Sequence, residues 1–271
     1  MAQIQKVSLE ILKRISTICM ENGFKYFLAY GTLIGAIRHK GYIPWDDDVD
    51  IMMPRPDYNR FIEYLKEHEE ELGNLKCFTP KYNEDYPYML TRISDDRYYI
   101  EVKNEKPYGM GIFIDVYPLD GLGNSYEEAY NKLRKTTKLC SMIFLSTRKS
   151  FHFDLTKGFI KKTLKLPAFC VAKLAGKRFW MNRLQNELDK NYYEDSSYVG
   201  AAAWCTYPYR NIYEKGWCNE TEMASYEDTS FYIPKGYDEI LKTTYGDYMK
   251  LPPEKDRIYH HLYKAFKKQQ A

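Results

Sequence analysis

The segment YGTLIGAIRHKGYIPWDDDVDIMM, residues 30–53, constrains the fold more than any other part of the chain. Residues 24–30 have the aromatic and apolar content of a buried strand, Gly31-Thr32 interrupts it, and residues 33–38 resume a helical pattern. After a turn over residues 41–45, DDDVDIMM alternates charge with apolar residues in the two-residue period of a strand. The span thus reads as a strand, a glycine turn, a helix and an acid-bearing strand.

Leu9, Ile11, Leu12, Ile15, Ile18 and Cys19 form an apolar stripe on an opening helix that Gly23 ends. Pro54 and Pro56 close the acidic strand, and residues 58–71 read as an amphipathic helix with Phe61, Ile62 and Leu65 inward. Short strands are predicted at 77–78, 88–93 and 98–102. GIFIDVYPLDG at 111–121 is a stronger one, with Ile112, Ile114 and Val116 alternating against Phe113 and Asp115. Residues 125–191 read as mainly helical, broken near Gly158 and at Pro167, and 192–232 as loop-rich and aromatic. The tail holds a short helix, YDEILKTTYG, and is expected to fold back onto the body.

The 271 residues carry 40 basic and 37 acidic side chains, a net charge of +3, which lacks the field of a general nucleic-acid binder. Six scattered cysteines include no CxxC pair, arguing against a zinc ribbon or disulfide framework and for a reducing, cytoplasmic setting. The N-terminus lacks a secretory core, and no apolar run is long enough to span a membrane. Between positions 155 and 186 there are eight basic residues and no acidic one, interleaved with Phe159, Ile160, Leu164, Phe169 and Val171; such a basic amphipathic segment suits peripheral contact with an anionic membrane face. A solvated basic face on packed helices is the competing reading. The 27 tyrosines bring apolar bodies with polar tips, suited to sugars and quaternary ammonium groups.

Asp48 and Asp50, two apart on the expected strand, would face the same way and share a metal ion, with carboxylate oxygens suiting Mg²⁺ or Mn²⁺. Upstream, Gly31-Thr32 opens a helix whose free N–H groups attract phosphate. Asp115 lies on a later apolar strand, where a buried charge is costly unless it meets a cation.

These residues resemble the LicD family, bacterial phosphorylcholine transferases related to the fukutin group, in YGTLIGAIRHKGYIPWDDDVDIMMPRPDY, in GIFIDVYPLDG and in YDEILKTTYGDYMKLPPEKDR. The resemblance implies an α+β, nucleotidyltransferase-like fold: a mixed central sheet with flanking helices, a catalytic core over 1–124, and a helical and loop-rich elaboration over 125–271 that sets specificity. It implies transfer of a phosphorylated alcohol from a CDP-alcohol, CDP-choline foremost, onto a cell-surface glycan hydroxyl, with release of CMP. Two metal ions on Asp48, Asp50 and Asp115 would serve the donor phosphates, Gly31 and Thr32 would contact phosphate, and Arg38 would clamp it, with His39 or Lys40 as weaker alternatives. The acceptor can be lipid-linked. Asp46 and Asp47 add charge beside the pair, Tyr30, Tyr42 and Tyr117 are candidates for the donor pocket, and Trp45 is expected to pack; His260 and His261 have no assigned role. A metal-dependent glycosyltransferase with a DxD motif and a non-catalytic binding module are the competing functions; the Gly-Thr turn ahead of the acids speaks against the first and the carboxylate trio against the second.

Overall fold

The computed structural model describes residues 2–84, 86–102, 104–105, 109–151, 159–205, 207–258 and 263–268, with the backbone alone for 2 and 159–164. Helix α1, Ala2–Asn22, buries Val7, Ile11, Leu12, Ile15 and Cys19 and ends at Gly23, whose φ of 64° is the left-handed stop. Strand β1, Phe27–Leu28, leads into α2, Tyr30–Ile34, which continues as a π-turn over Gly35–His39. Strand β2, Asp50–Pro54, feeds α3, Arg55–Glu67, with Pro56 in the first turn, where its missing N–H costs nothing. The helix therefore starts before the position that Pro56 suggested.

Next come β3 (Leu75–Phe78), β4 (Thr91–Asp95), β5 (Tyr98–Val102) and β6 (Ile112–Gly123). The main sheet runs β1-β2-β6-β4-β3; β2 and β6 are parallel, and the other neighbours are antiparallel. Strand β6 is buried along its length apart from half-buried Tyr117, as befits a central strand covered on both faces. Helices α1 and α3 pack against β6 and its neighbours. A second cluster, Phe78, Tyr86, Tyr88, Leu90, Met110 and Phe113, gathers Tyr117, Phe144, Trp204 and Tyr263 around it. The architecture is thus mixed α+β, a mixed sheet with flanking helices.

Helix α4, Tyr126–Thr147, packs along α5, Phe159–Leu188. The expected break at Pro167 is not where the backbone departs from helix; that happens at Gly176, with φ 75° and ψ 161°, a conformation side-chain-bearing residues rarely adopt. Gly158 lies outside the described residues. The stretch expected to be loop-rich holds β7 (Tyr198–Gly200), β8 (Tyr213–Glu214), α6 (Lys215–Asn219) and a hairpin of β9 (Thr221–Tyr226) and β10 (Thr229–Pro234). Strand β7 pairs with the far end of β6, past a register shift between Gly121 and Gly123, and β8 pairs with β7. Such short strands exist through distant partners and leave little local periodicity. Helix α7, Tyr237–Tyr245, follows, and β11, Tyr263–Lys267, folds back antiparallel to β5 as expected for the tail.

Ser125 Oγ accepts from Glu128 N at 3.2 Å while Glu128 Oε2 accepts from Asn124 N at 2.9 Å, a reciprocal cap at the start of α4. Ser125→Ala should lower the unfolding free energy by about 1 kcal/mol in urea denaturation without changing the far-UV spectrum.

Candidate active site

Strand geometry builds the site. In the parallel ladder Asp50 stands opposite Asp115, and in the antiparallel ladder on the other side Arg92 stands opposite Asp115. Three charged residues therefore form a row across β2, β6 and β4, with adjacent strands about 4.8 Å apart. Asp50 and Asp115 are only 6% and 8% exposed. Arg92 Nε donates to Asp115 Oδ1 at 2.7 Å, and its guanidinium lies between the rings of Tyr88 (3.9 Å) and Phe113 (4.1 Å). Burial alone would lower the Arg92 guanidinium, but Asp115 outweighs it and holds it well above the usual arginine range.

The backbone of Asp50 is pinned by the segment before it. Thr32 Oγ1 accepts from Asp50 N at 2.9 Å, and Ala29 N donates to Asp50 O at 2.9 Å. The Gly31-Thr32 step lies in the first turn of α2 and directly supports the acidic strand. A side chain at Gly31 would come within 2.6 Å of the Asp46 carboxylate. Asp48 precedes β2, which starts at Asp50, so the two do not share the regular strand that the alternation suggested. Residues 46–49 lie outside the ladder proper, although Val49 O still accepts from Asp115 N at 2.8 Å. Asp48 nonetheless acts on the same surroundings. Tyr117 is held well above the usual phenol range first by burial and then by the fields of Asp50 and Asp115, with Asp48 adding to them. Its hydroxyl stays protonated and can donate.

Arg38 faces elsewhere. Its Nη1 donates to the carbonyl oxygens of Tyr248 and Lys250, and its Nε to His39 Nε2 at 2.9 Å, tying the π-turn to the chain after α7. Lys40 takes a left-handed φ of 60°, and its carbonyl accepts from Glu227 N. Trp45 packs near His39 and under Arg257. Tyr42 is used structurally: its hydroxyl donates to Gln5 O and lies 2.8 Å from Ser8 Oγ. His260 and His261 fall outside the described residues.

Beside Asp50 opens a cavity of about 300 Å³ walled by Tyr30, Tyr117, Trp204, Tyr207 and Tyr245, with Arg210 and Asn211 at its polar side. Tyr30 and Tyr117 meet edge to face at 5.0 Å. Tyr30 has φ 48°, uncommon for a bulky residue; its hydroxyl donates to Asn211 Oδ1 at 2.9 Å, and Asn211 Nδ2 in turn donates to Tyr207 O. Arg210 stacks over Tyr207 and Tyr209 at 5.1 and 5.4 Å. Arg92, Trp204, Arg210 and Tyr245 were not distinguishable in the sequence, since each reaches the site through tertiary packing. A faint signal exists for Arg92, the one charged residue in the predicted strand 88–93.

Two carboxylates in register offer hard oxygen donors, the set that Mg²⁺ takes one or two at a time with substrate phosphates completing its shell. Asp50 and Asp115 are the residues that would hold such an ion. Among the described residues no three His, Cys, Asp or Glu side chains form a metal-holding group.

The sequence pattern described as LicD/FKTN/FKRP, nucleotidyltransferase domain, matches residues 23–168. The chain is 31% identical over 265 residues to the lipopolysaccharide cholinephosphotransferase LicD of Haemophilus influenzae, covering 97% of this chain and 96% of that protein. It is also similar to an uncharacterised protein of Rickettsia typhi, 32% identical over 126 residues (46% of this chain, 37% of that one). An uncharacterised protein of Rickettsia prowazekii is 35% identical over 74 residues, 27% of each.

Arg92→Met takes a guanidinium from a carboxylate that is almost wholly buried. A loss of about 3–5 kcal/mol in unfolding free energy is expected in urea denaturation, with Arg92→Lys losing less.

Proposed function

The chain belongs to the LicD/FKTN/FKRP family, and on that premise we propose that it is a LicD-type transferase moving phosphocholine from CDP-choline to a hydroxyl of a lipopolysaccharide-type glycan, with release of CMP. The observation that carries the reading is the aromatic cavity that shares Asp50 as a wall. A quaternary ammonium binds over aromatic faces, and the nearby carboxylate complements its charge. A volume of about 300 Å³ suits a group the size of phosphocholine.

In this reading the choline group sits among Tyr30, Tyr117, Trp204 and Tyr245, and the phosphate to be transferred lies at the Asp50–Asp115 row. The acceptor hydroxyl oxygen attacks the choline-bearing phosphorus, and the bond from that phosphorus to the bridging oxygen breaks. CMP leaves with the electron pair, and the hydroxyl proton passes to a carboxylate, for which the more exposed Asp48 is the residue we assign. Mg²⁺ or Mn²⁺, held by Asp50 and Asp115 with Asp48 beside them and with room in the reading for a second ion, would neutralise the diphosphate charge. Arg210, at the cavity's polar side, would meet phosphate oxygens, while the Arg38 guanidinium donates to the Tyr248 carbonyl. Arg92 fixes the Asp115 carboxylate, and the protonated Tyr117 hydroxyl can donate to a phosphate oxygen.

The same reading makes the sheet a nucleotidyltransferase-like fold over 1–124 and gives the elaboration over 125–271 the task of specificity; Trp204, Tyr207, Arg210 and Tyr245 all come from that part. It also includes a lipid-linked acceptor met at a membrane surface through 155–186. In support, α5 exposes Leu166, Val171 and Leu174 ahead of its kink at Gly176, the last at 88%. No helix among the described residues is long and apolar enough to cross a membrane.

A CMP-release assay over CDP-choline, CDP-ethanolamine, CDP-glycerol and CDP-ribitol, each with Mg²⁺ and with chelator, tests the donor. CDP-choline should be preferred, and chelator should abolish release; equal rates on CDP-glycerol would overturn the choline reading. Asp50→Asn should reduce kcat by roughly a thousandfold or more, in line with loss of a group that stabilises transition-state charge. Trp204→Ala should raise the KM for CDP-choline about tenfold, the effect of losing ~1–2 kcal/mol of cation–π contact, and change the KM for CDP-glycerol far less.

A further inference from the structure

A cleft of about 730 Å³, lined by none of the residues of the carboxylate row, lies between the loop at 80–84, the end of α4 and the kink of α5. Its cationic walls are Lys81, Lys173, Lys177 and Arg178, against one acid, Glu84. The kink creates this arrangement. Gly176 turns the chain so that Lys177 Nζ can donate to the backbone carbonyls of Asn83 and Glu84, closing one side of the cleft. A Cβ at Gly176 would meet nothing within 4 Å, so it is the positive φ, not crowding, that asks for glycine there.

The rest of the lining has the chemistry of a sugar site. Tyr82 exposes its ring, with Lys81 Nζ 5.2 Å from its centroid, and Ser146, Thr147 and Asn182 bring polar groups. Lys81 is shared with Glu63 at 2.8 Å, whereas among the described residues no carboxylate pairs with Arg178. The cleft does not end there. An inner cavity of about 250 Å³ shares Pro80, Lys81 and Met181 with it and reaches Arg55 and Ala203. Arg55 pairs with Asp120 at 2.7 Å, and its buried Nη2 has no hydrogen-bond partner among the described residues. Ala203 is followed by Trp204, which lines the aromatic cavity, so one short segment separates the two regions. Arg55 follows the last residue of β2, on the order of 16 Å along the strand from Asp50.

We propose that the cleft at the α5 kink is an acceptor subsite for an anionic saccharide, seating a phosphorylated sugar of the glycan at a distance from the hydroxyl that receives the transferred group. Arg178 and Lys81 meet the phosphate, and the Tyr82 ring meets the sugar face. The proposal rests on the transfer reading for the identity of the acceptor, but the binding it asserts does not depend on catalysis.

The test is calorimetric titration of the full-length protein, without donor, using oligosaccharide released from lipopolysaccharide by mild acid, before and after phosphatase treatment. Native oligosaccharide should bind, phosphatase treatment should weaken it at least tenfold, and Lys81→Glu/Arg178→Glu should abolish the difference between the two. The paired kinetic readout is a tenfold or greater rise in the KM for oligosaccharide, with the KM for CDP-choline changed less than twofold. Gly176→Ala, which keeps every cation but disfavours the kink, should also weaken native oligosaccharide. Equal binding of native and phosphatase-treated material overturns the proposal, as does an unaltered affinity in the double variant. Loss of binding to anionic phospholipid vesicles with oligosaccharide binding unaltered assigns the cations to lipid headgroups and also overturns it. Saccharide binding that follows these expectations in a protein inactive on every CDP-alcohol would uphold the subsite and defeat the transfer reading instead.

Discussion

The parallel pairing of β2 with β6 is the constraint on which the site depends. It sets Asp50 against Asp115 across one strand spacing, and two carboxylates held so close and so nearly dry repel each other unless positive charge is near. Arg92 answers part of that demand from β4, on the far side of Asp115. A shift of one residue in either ladder would turn the opposing side chain to the other face of the sheet and dissolve the row. The Thr32 hydroxyl and the Ala29 amide, both bonded to the Asp50 backbone, resist such slippage from the β1–α2 side.

Aromatic packing extends this frame into a binding surface. Phe113 and Tyr117 lie two positions either side of Asp115 on the same face of β6, one under the Arg92 guanidinium and one against Tyr30. Trp204 joins them by packing on Tyr88, whose ring also covers Arg92. Charge and ring therefore support one another: the rings keep water from the ion pair, and the ion pair fixes the strand that carries the rings. The left-handed Tyr30 fits the same scheme, because its edge contact with Tyr117 and its bond to Asn211 hold a backbone conformation that a free chain would leave.

Local pattern was a good guide wherever an element makes its own case. The stripe of α1 and the inward residues Phe61, Ile62 and Leu65 of α3 are visible because burial repeats at helical period, and β6 because its apolar, β-branched and aromatic content marks a strand buried on both faces. It misled where partners are remote. The alternation of charge and apolar residues through 46–53 predicts a strand that includes Asp48, yet the ladder begins at Asp50. Pro167 looked like the helix breaker, whereas the departure falls at Gly176. The strands from β7 to β10 went unseen because two to six residues carry too little periodicity, and β7 exists only as the neighbour of the end of β6.

The sequence by itself determined the parts: an acid pair behind a Gly-Thr step, a third acid on an apolar strand, a reserve of tyrosines, and a segment of basic residues without acids. These follow from residue type and short-range spacing, which no distant contact can alter. Tertiary structure decided the assembly: that Arg92 stands beside Asp115, that Arg38 turns to the Tyr248 carbonyl, and that Trp204 and Tyr245 close a cavity on Asp50. Register and direction belong to pairs of segments far apart in the chain, and neither member of such a pair carries them alone.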